Sequence, residues 1–312
     1  MVMIGLAGHQ WVIVCLLLLL FTPALSAANI LSCRDSRAAP GGLETVRYDG
    51  LLLGGNGCFY DPLSFPARQV PPFSRSDSSR EPRRMFYING ASASPFGESL
   101  KYRQLVERTE THVVGVFWAA GDRSSALNAI GSNAGPNPAV ATTTRLIMEH
   151  LEREEEIHLR AASAGPVILS AALTEVRRQL LIRHRNPQTA NRLMQLIKAE
   201  THGSFESRFP DGPRYVHYAN LLDPIPRAVG ILSIGNKPGR NAVLALFSDT
   251  TIPLERQLMP LGALDEAFLR VHGFATYTTY RRPFDAVYGA GVRERGVRRV
   301  WIPHLRVPIR GF

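Results

Sequence analysis

Residues 157–169 read Ile157-His158-Leu159-Arg160-Ala161-Ala162-Ser163-Ala164-Gly165-Pro166-Val167-Ile168-Leu169. The first five form a short strand pattern, the next few are small, and a helix pattern starts at Pro166. A strand, a tight turn and a helix with serine at the apex would expose a hydroxyl at the edge of a parallel sheet. Such a turn needs small residues two before and two after the serine, where strand and helix approach closely, and Ala161 and Gly165 meet that need.

Outward from this stretch the texture alternates. Strand patterns lie at 85–88 (Met-Phe-Tyr-Ile), 113–118, 157–161, 215–220 and 242–247. Helical patterns lie at 98–108, 138–155, 166–181 and 188–200, the last with Leu193, Leu196 and Ile197 on one side. Strands alternating with helices imply an α/β fold with a mostly parallel central sheet covered on both faces.

A serine hydroxyl is a poor nucleophile unless a base takes its proton and an acid orients that base. The acid candidate is Asp223, in Asp223-Pro224-Ile225-Pro226, just past the strand at 215–220; Asp249, after the next strand, is its rival. The base candidate is His272, in His272-Gly273-Phe274-Ala275-Thr276-Tyr277, beyond the last strand and before a short helix; His304 is the weaker choice. His158 and His217 fall within strands, where a hydrogen-bonded structural histidine is the default. For a developing oxyanion, the amide of Ala164 at the helix start is the natural first donor. The amide of Ala91, in Asn89-Gly90-Ala91 after the strand at 85–88, is the second. This chemistry calls for no cofactor, and no Cys/His spacing suggests a metal site.

The order Ser163, Asp223, His272 and the segments that carry these residues resemble the α/β-hydrolase family across residues 84–280, with lipase- and esterase-like members nearest. The resemblance implies a three-layer fold and Ser–His–Asp cleavage of an acyl ester. Asp223 follows Ser163 by 60 residues and His272 follows Asp223 by 49, which leaves little room for a large lid domain. Two positions depart from the pattern. Ala161 replaces the usual first glycine of the turn. Arg160 shares a side of its strand with His158, where a central parallel strand should be apolar. Either these side chains meet carboxylates, or the strand is not central.

The flanks read differently. Residues 1–28 resemble a secretory signal: an apolar run from Trp11 to Phe21, then Thr22-Pro23 and small residues, although no Lys or Arg precedes the run. An uncleaved anchor is the alternative, and Ile30-Leu31-Ser32-Cys33 is a distant relative of a lipoprotein cleavage box. Export makes one disulfide, Cys33–Cys58, compatible with the cysteine count, as are two free thiols. Residues 29–83 form a loop-rich extension and 281–312 a basic tail. Much of the net charge of +10 is in that region, with eight arginines after residue 273 against Asp285 and Glu294. The tail reads as solvated chain or as a surface for an anionic membrane or envelope polymer; with no nucleic-acid motif, nucleic acid is not an expected partner. The sequence therefore supports an exported, secreted or periplasmic, serine esterase acting on a small-molecule or lipid ester. A catalytically silent binding protein of the same fold, or an envelope-associated scaffold, is the alternative.

Overall fold

The computed structural model describes residues 30–32, 43–75, 84–91, 93–109, 111–119, 137–249, 268, 270–294 and 297–303. The proposed signal at 1–28, Cys33 and His304 lie outside the described residues. Cys58 is disulfide-bonded.

The chain is α/β, with one mostly parallel sheet flanked by helices. Its strands are β1 (Ile30–Ser32), β2 (Leu52–Leu53), β3 (Phe59–Tyr60), β4 (Arg84–Ile88), β5 (His112–Val116), β6 (Ile157–Ala162), β7 (Ile197–His202), β8 (Arg214–Asn220), β9 (Val243–Phe247), β10 (Val292–Glu294) and β11 (Val297–Trp301). The order across the sheet is β1-β3-β2-β5-β4-β6-β7-β8-β9-β11-β10. From β5 to β11 every neighbouring pair is parallel, and the antiparallel pairs sit at the two edges. After β4 the chain first goes to one side (β5) and then to the other (β6). The carboxyl ends of β4 and β6 thus flank a topological switch point, where open parallel sheets leave a crevice for ligands.

The central strands β4, β8 and β9 are buried on both faces, as their apolar runs require. Alternate residues point to opposite helical layers. Phe86, Ile88, Leu159 and Ala161 share a core with α2 (Pro138–Leu151), α3 (Gly165–His184) and α4 (Pro187–Met194). Met85, Tyr87 and Val113 pack on α1 (Pro95–Thr109). Val216, Tyr218 and Val243 pack on α6 (Phe274–Tyr280) and α7 (Phe284–Ala290). A short helix α5 (Pro224–Ala228) follows β8.

Two expectations need correction, the helix at 188–200 and the solvated tail. The helical pattern at 188–200 ends at Met194, and Ile197–His202 is instead a central strand between β6 and β8. Leu-Ile-Lys-Ala-Glu has good helix propensity, but pairing with two strands outweighs a preference worth tenths of a kcal/mol per residue. Within the loop-rich extension, Leu52, Leu53, Phe59 and Tyr60 are buried, and β2 pairs with β5. The tail is not free from its start. Val297–Trp301 pairs in parallel with β9, and Arg281 is buried against Glu200.

Of the two polar side chains on β6, His158 meets a carboxylate and, among the described residues, Arg160 does not. β6 is central, and His158 and Arg160 lie on one face of it with Lys198, Glu200 and His202 of β7 beside them. The stripe is covered by α6 and α7. Glu200 accepts both Arg281 nitrogens (2.8 and 2.7 Å) and His158 Nε2 (2.7 Å). Burial alone would raise its carboxyl; the Arg281 guanidinium and the hydrogen bonds from His158 and His202 hold it well below the usual range. Lys198 Nζ meets Glu156 and Asp285 at 2.7 and 2.8 Å. Arg160 is wholly buried yet makes no ion pair among the described residues. It donates to Thr278 Oγ1 (3.1 Å) and His202 Nδ1 (3.4 Å) and faces the Tyr87 and Phe274 rings, and burial pushes its guanidinium down to about 10.

Burial also pushes His202 down to about 3 and His217 to about 4, from an ordinary 6.5. The unfolded chain recovers ordinary histidines and binds protons that the native state refuses. Stability is therefore complete above about pH 6.5 and falls as the pH drops below it, by about 1.4 kcal/mol per pH unit for each histidine. Urea unfolding followed from pH 7.5 to 5 is expected to show uptake of about two protons on unfolding; a midpoint that does not change over this range would contradict the buried neutral assignment.

Candidate active site

Ser163 is the apex of the turn between β6 and α3, with φ +56°. That left-handed backbone is uncommon for a residue with a Cβ and has to be held by its surroundings. Both neighbouring strands contribute. On the β7 side, Ser163 N donates to His202 O (2.8 Å) and Phe205 N donates to Ser163 O (2.9 Å). On the β4 side, Gly90 lies so close that an added Cβ would stand 2.9 Å from Ser163 Cβ and 3.1 Å from Ala162 O. Gly165 is equally constrained, since a Cβ there would meet Asn89 O at 2.6 Å. Of the two small positions expected around the serine, Gly165 is thus demanded by direct contact with the end of β4, and Ala161 is fully buried.

The structure brings Ser163, His272 and Asp223 together. His272 Nε2 lies 2.9 Å from Ser163 Oγ, and Nδ1 lies 2.6 Å from Asp223 Oδ2. With the carboxylate accepting, Nδ1–H is the donor, which leaves Nε2 to accept from the serine hydroxyl. Asp223 is wholly buried and caps α5, its Oδ1 accepting from Ile225 N (3.0 Å). Its Oδ2 also accepts from Tyr277 Oη (2.7 Å). The His272 ring lies between Phe268, stacked at 4.8 Å, and Phe205, edge-on at 6.0 Å. A Cβ on Gly203 would stand 2.9 Å from its Cε1, so the imidazole passes directly over the β7 loop.

The alternative residues go elsewhere. Asp249 accepts a hydrogen bond from Tyr280 Oη. His158 pairs with Glu200, and His217 bridges Thr201 Oγ1 (2.7 Å) and Pro238 O (2.9 Å). Ala164 is the residue before α3, and Ala91 lies in the turn after β4. Among the described residues neither backbone N–H has an acceptor. Both loops border the switch-point crevice beside the serine. An electrophile bound there would meet a hydroxyl backed by a base, a buried carboxylate behind the base, and amide donors.

Two asparagines that the sequence reading passed over hold these loops. Asn89, wholly buried, donates from Nδ2 to Gly90 O and Trp118 O and accepts from Trp118 N, each at 2.8 Å. It thereby ties the Gly90–Ala91 turn to the end of β5. Asn220 Nδ2 donates to Asp249 O and Val271 O, each at 3.0 Å, which joins the end of β8 to the residue preceding His272. The available signal was a polar residue ending each strand, but polar residues end most strands. No protein-family model and no curated protein matches the chain.

Asn89→Ala should leave the buried Trp118 N–H and C=O without this partner and cost about 2–6 kcal/mol, at about 1–3 kcal/mol per orphaned group. Equilibrium urea unfolding checks this; a loss below about 0.5 kcal/mol would show that Asn89 does not hold the loop.

Proposed function

We propose that the chain is a serine hydrolase of α/β-hydrolase type that cleaves an acyl ester. The observation that carries this reading is the unbroken series of contacts from Asp223 through His272 to Ser163, with the serine on a left-handed turn. The run of parallel strands from β5 to β11, with Ser163 at the switch point, supports the finer fold assignment. Export of the protein is part of the same proposal and rests on the composition of residues 1–28.

In this mechanism Ser163 Oγ attacks the ester carbonyl carbon while its proton passes to His272 Nε2. Asp223 stabilises the imidazolium and keeps Nδ1 as the donor. The oxyanion of the tetrahedral intermediate takes the amides of Ala164 and Ala91, an environment worth about 3–4 kcal/mol per well-placed donor. Collapse breaks the bond to the alcohol oxygen, which receives the proton from His272. Water then attacks the acyl-serine by the same route in reverse and releases the acid.

Hydrolysis of a p-nitrophenyl acyl ester tests the reading. Ser163→Ala should lower kcat/KM by about 10⁴-fold or more and Asp223→Asn by about 10³- to 10⁴-fold, with Asp249→Asn far milder. Equal loss in the two aspartate variants would reject Asp223 as the acid, and turnover undiminished in Ser163→Ala would reject the nucleophile.

A further inference from the structure

The geometry points to Tyr277 as a positioning residue for the Asp223–His272 pair, and we propose this role as an extension of the triad reading above. Asp223 Oδ2 accepts two hydrogen bonds: His272 Nδ1 at 2.6 Å and Tyr277 Oη at 2.7 Å. Tyr277 Oη itself accepts from Asn220 N at 3.1 Å. An amide N–H can only donate, so the phenol oxygen receives that hydrogen and sends its own to the carboxylate. The chain of bonds therefore has one direction, from Asn220 through Tyr277 to Asp223, with His272 converging on the same oxygen.

The backbone makes this arrangement compact. Gly273 precedes the first residue of α6, so His272 and Tyr277 sit on opposite ends of one short turn of chain and meet the same carboxylate. The Tyr277 ring is wholly buried, packed edge-on against Phe247 at 5.3 Å and His202 at 5.9 Å. Burial and the Asp223 charge raise its phenol well above the ordinary value, so it remains a donor wherever the histidine works. A second donor on Oδ2 fixes the carboxylate's rotation. It also stabilises the negative charge, which lowers the carboxylate's pull on the imidazole proton. Among the described residues, the other titratable groups packed around this pair are His202 from β7, held neutral, Asp249 after β9 and Tyr280 from α6.

Tyr280 supplies an internal control, because it makes the same kind of buried tyrosine–aspartate bond to Asp249, a residue outside the triad. The test is an NMR titration of the His272 ring in the full chain, run for wild type, Tyr277→Phe and Tyr280→Phe. Tyr277→Phe should raise the His272 pKa by about 0.5–1 unit and move its Nδ1–H resonance, while Tyr280→Phe leaves both in place. Replacing Tyr277 by 3-fluorotyrosine, a stronger donor of nearly the same shape, should move the pKa the other way. The rate of Ser163 labelling by a fluorophosphonate should fall about tenfold at neutral pH in Tyr277→Phe, with its acidic limb displaced to higher pH. A His272 titration unchanged in both Tyr277 variants would overturn the assignment. Wild-type protein that resists labelling yet shows the Tyr277-specific shifts would overturn the hydrolase reading and leave this assignment standing.

Discussion

The left-handed backbone at Ser163 is the constraint on which the rest of the site depends. A residue with a side chain holds φ +56° only where neighbouring chain leaves it no cheaper choice. Here the turn is bonded to the β7 loop on one side and packed against Gly90 on the other. Both neighbours are there because β4, β6 and β7 pair in parallel and end level with one another. The fold thus supplies the strain, and the strain lifts the hydroxyl out of the sheet toward His272. Loops beyond β8 and β9 then need only deliver a carboxylate and an imidazole to the same edge, and Asn220 ties Asp223's strand to the residue before His272.

Beneath this edge lies a layer that has no direct part in the proposed chemistry. His158, Arg160, Lys198, Glu200 and His202 form a polar stripe inside the molecule, contacted by Thr278 of α6, Arg281 just after it and Asp285 of α7. Buried charges stabilise little relative to apolar packing and cost several kcal/mol when one partner is removed. In the docking that α6 adopts, Arg281 meets Glu200. That docking also brings Tyr277 to Asp223 and fixes the approach of His272. The stripe and the site are connected through the seven-residue α6 and through His202, whose carbonyl accepts from Ser163 N.

Ser163 and Asp223 were legible in the sequence because each closely follows a strand pattern, whereas His272 lies 25 residues past the end of β9 and was picked out by its place in the chain order. The small-residue requirement at Gly165 was legible too, since it follows from steric crowding at any such turn. β7 was not. Lys198 and Glu200 look like the solvated face of a helix, and only their partners, far along the chain, turn that face inward. The same holds for Val297–Trp301, whose arginines read as a free basic tail although its backbone completes the sheet beside β9. Asn89 and Asn220 escaped for a related reason: their partners Trp118 and Val271 lie 29 and 51 residues away. Local pattern reports what a segment prefers alone, and these segments are decided by what they meet.

The central claim is that Ser163 is a nucleophile activated by its neighbours rather than an ordinary turn serine. Peptide mapping by mass spectrometry, after exposure of the folded protein to a fluorophosphonate, tests it most directly. The account predicts a single phosphonyl adduct, on Ser163, that disappears when the protein is unfolded before treatment. An unmodified Ser163 in folded protein, or modification spread over several serines with no preference for it, would contradict the account.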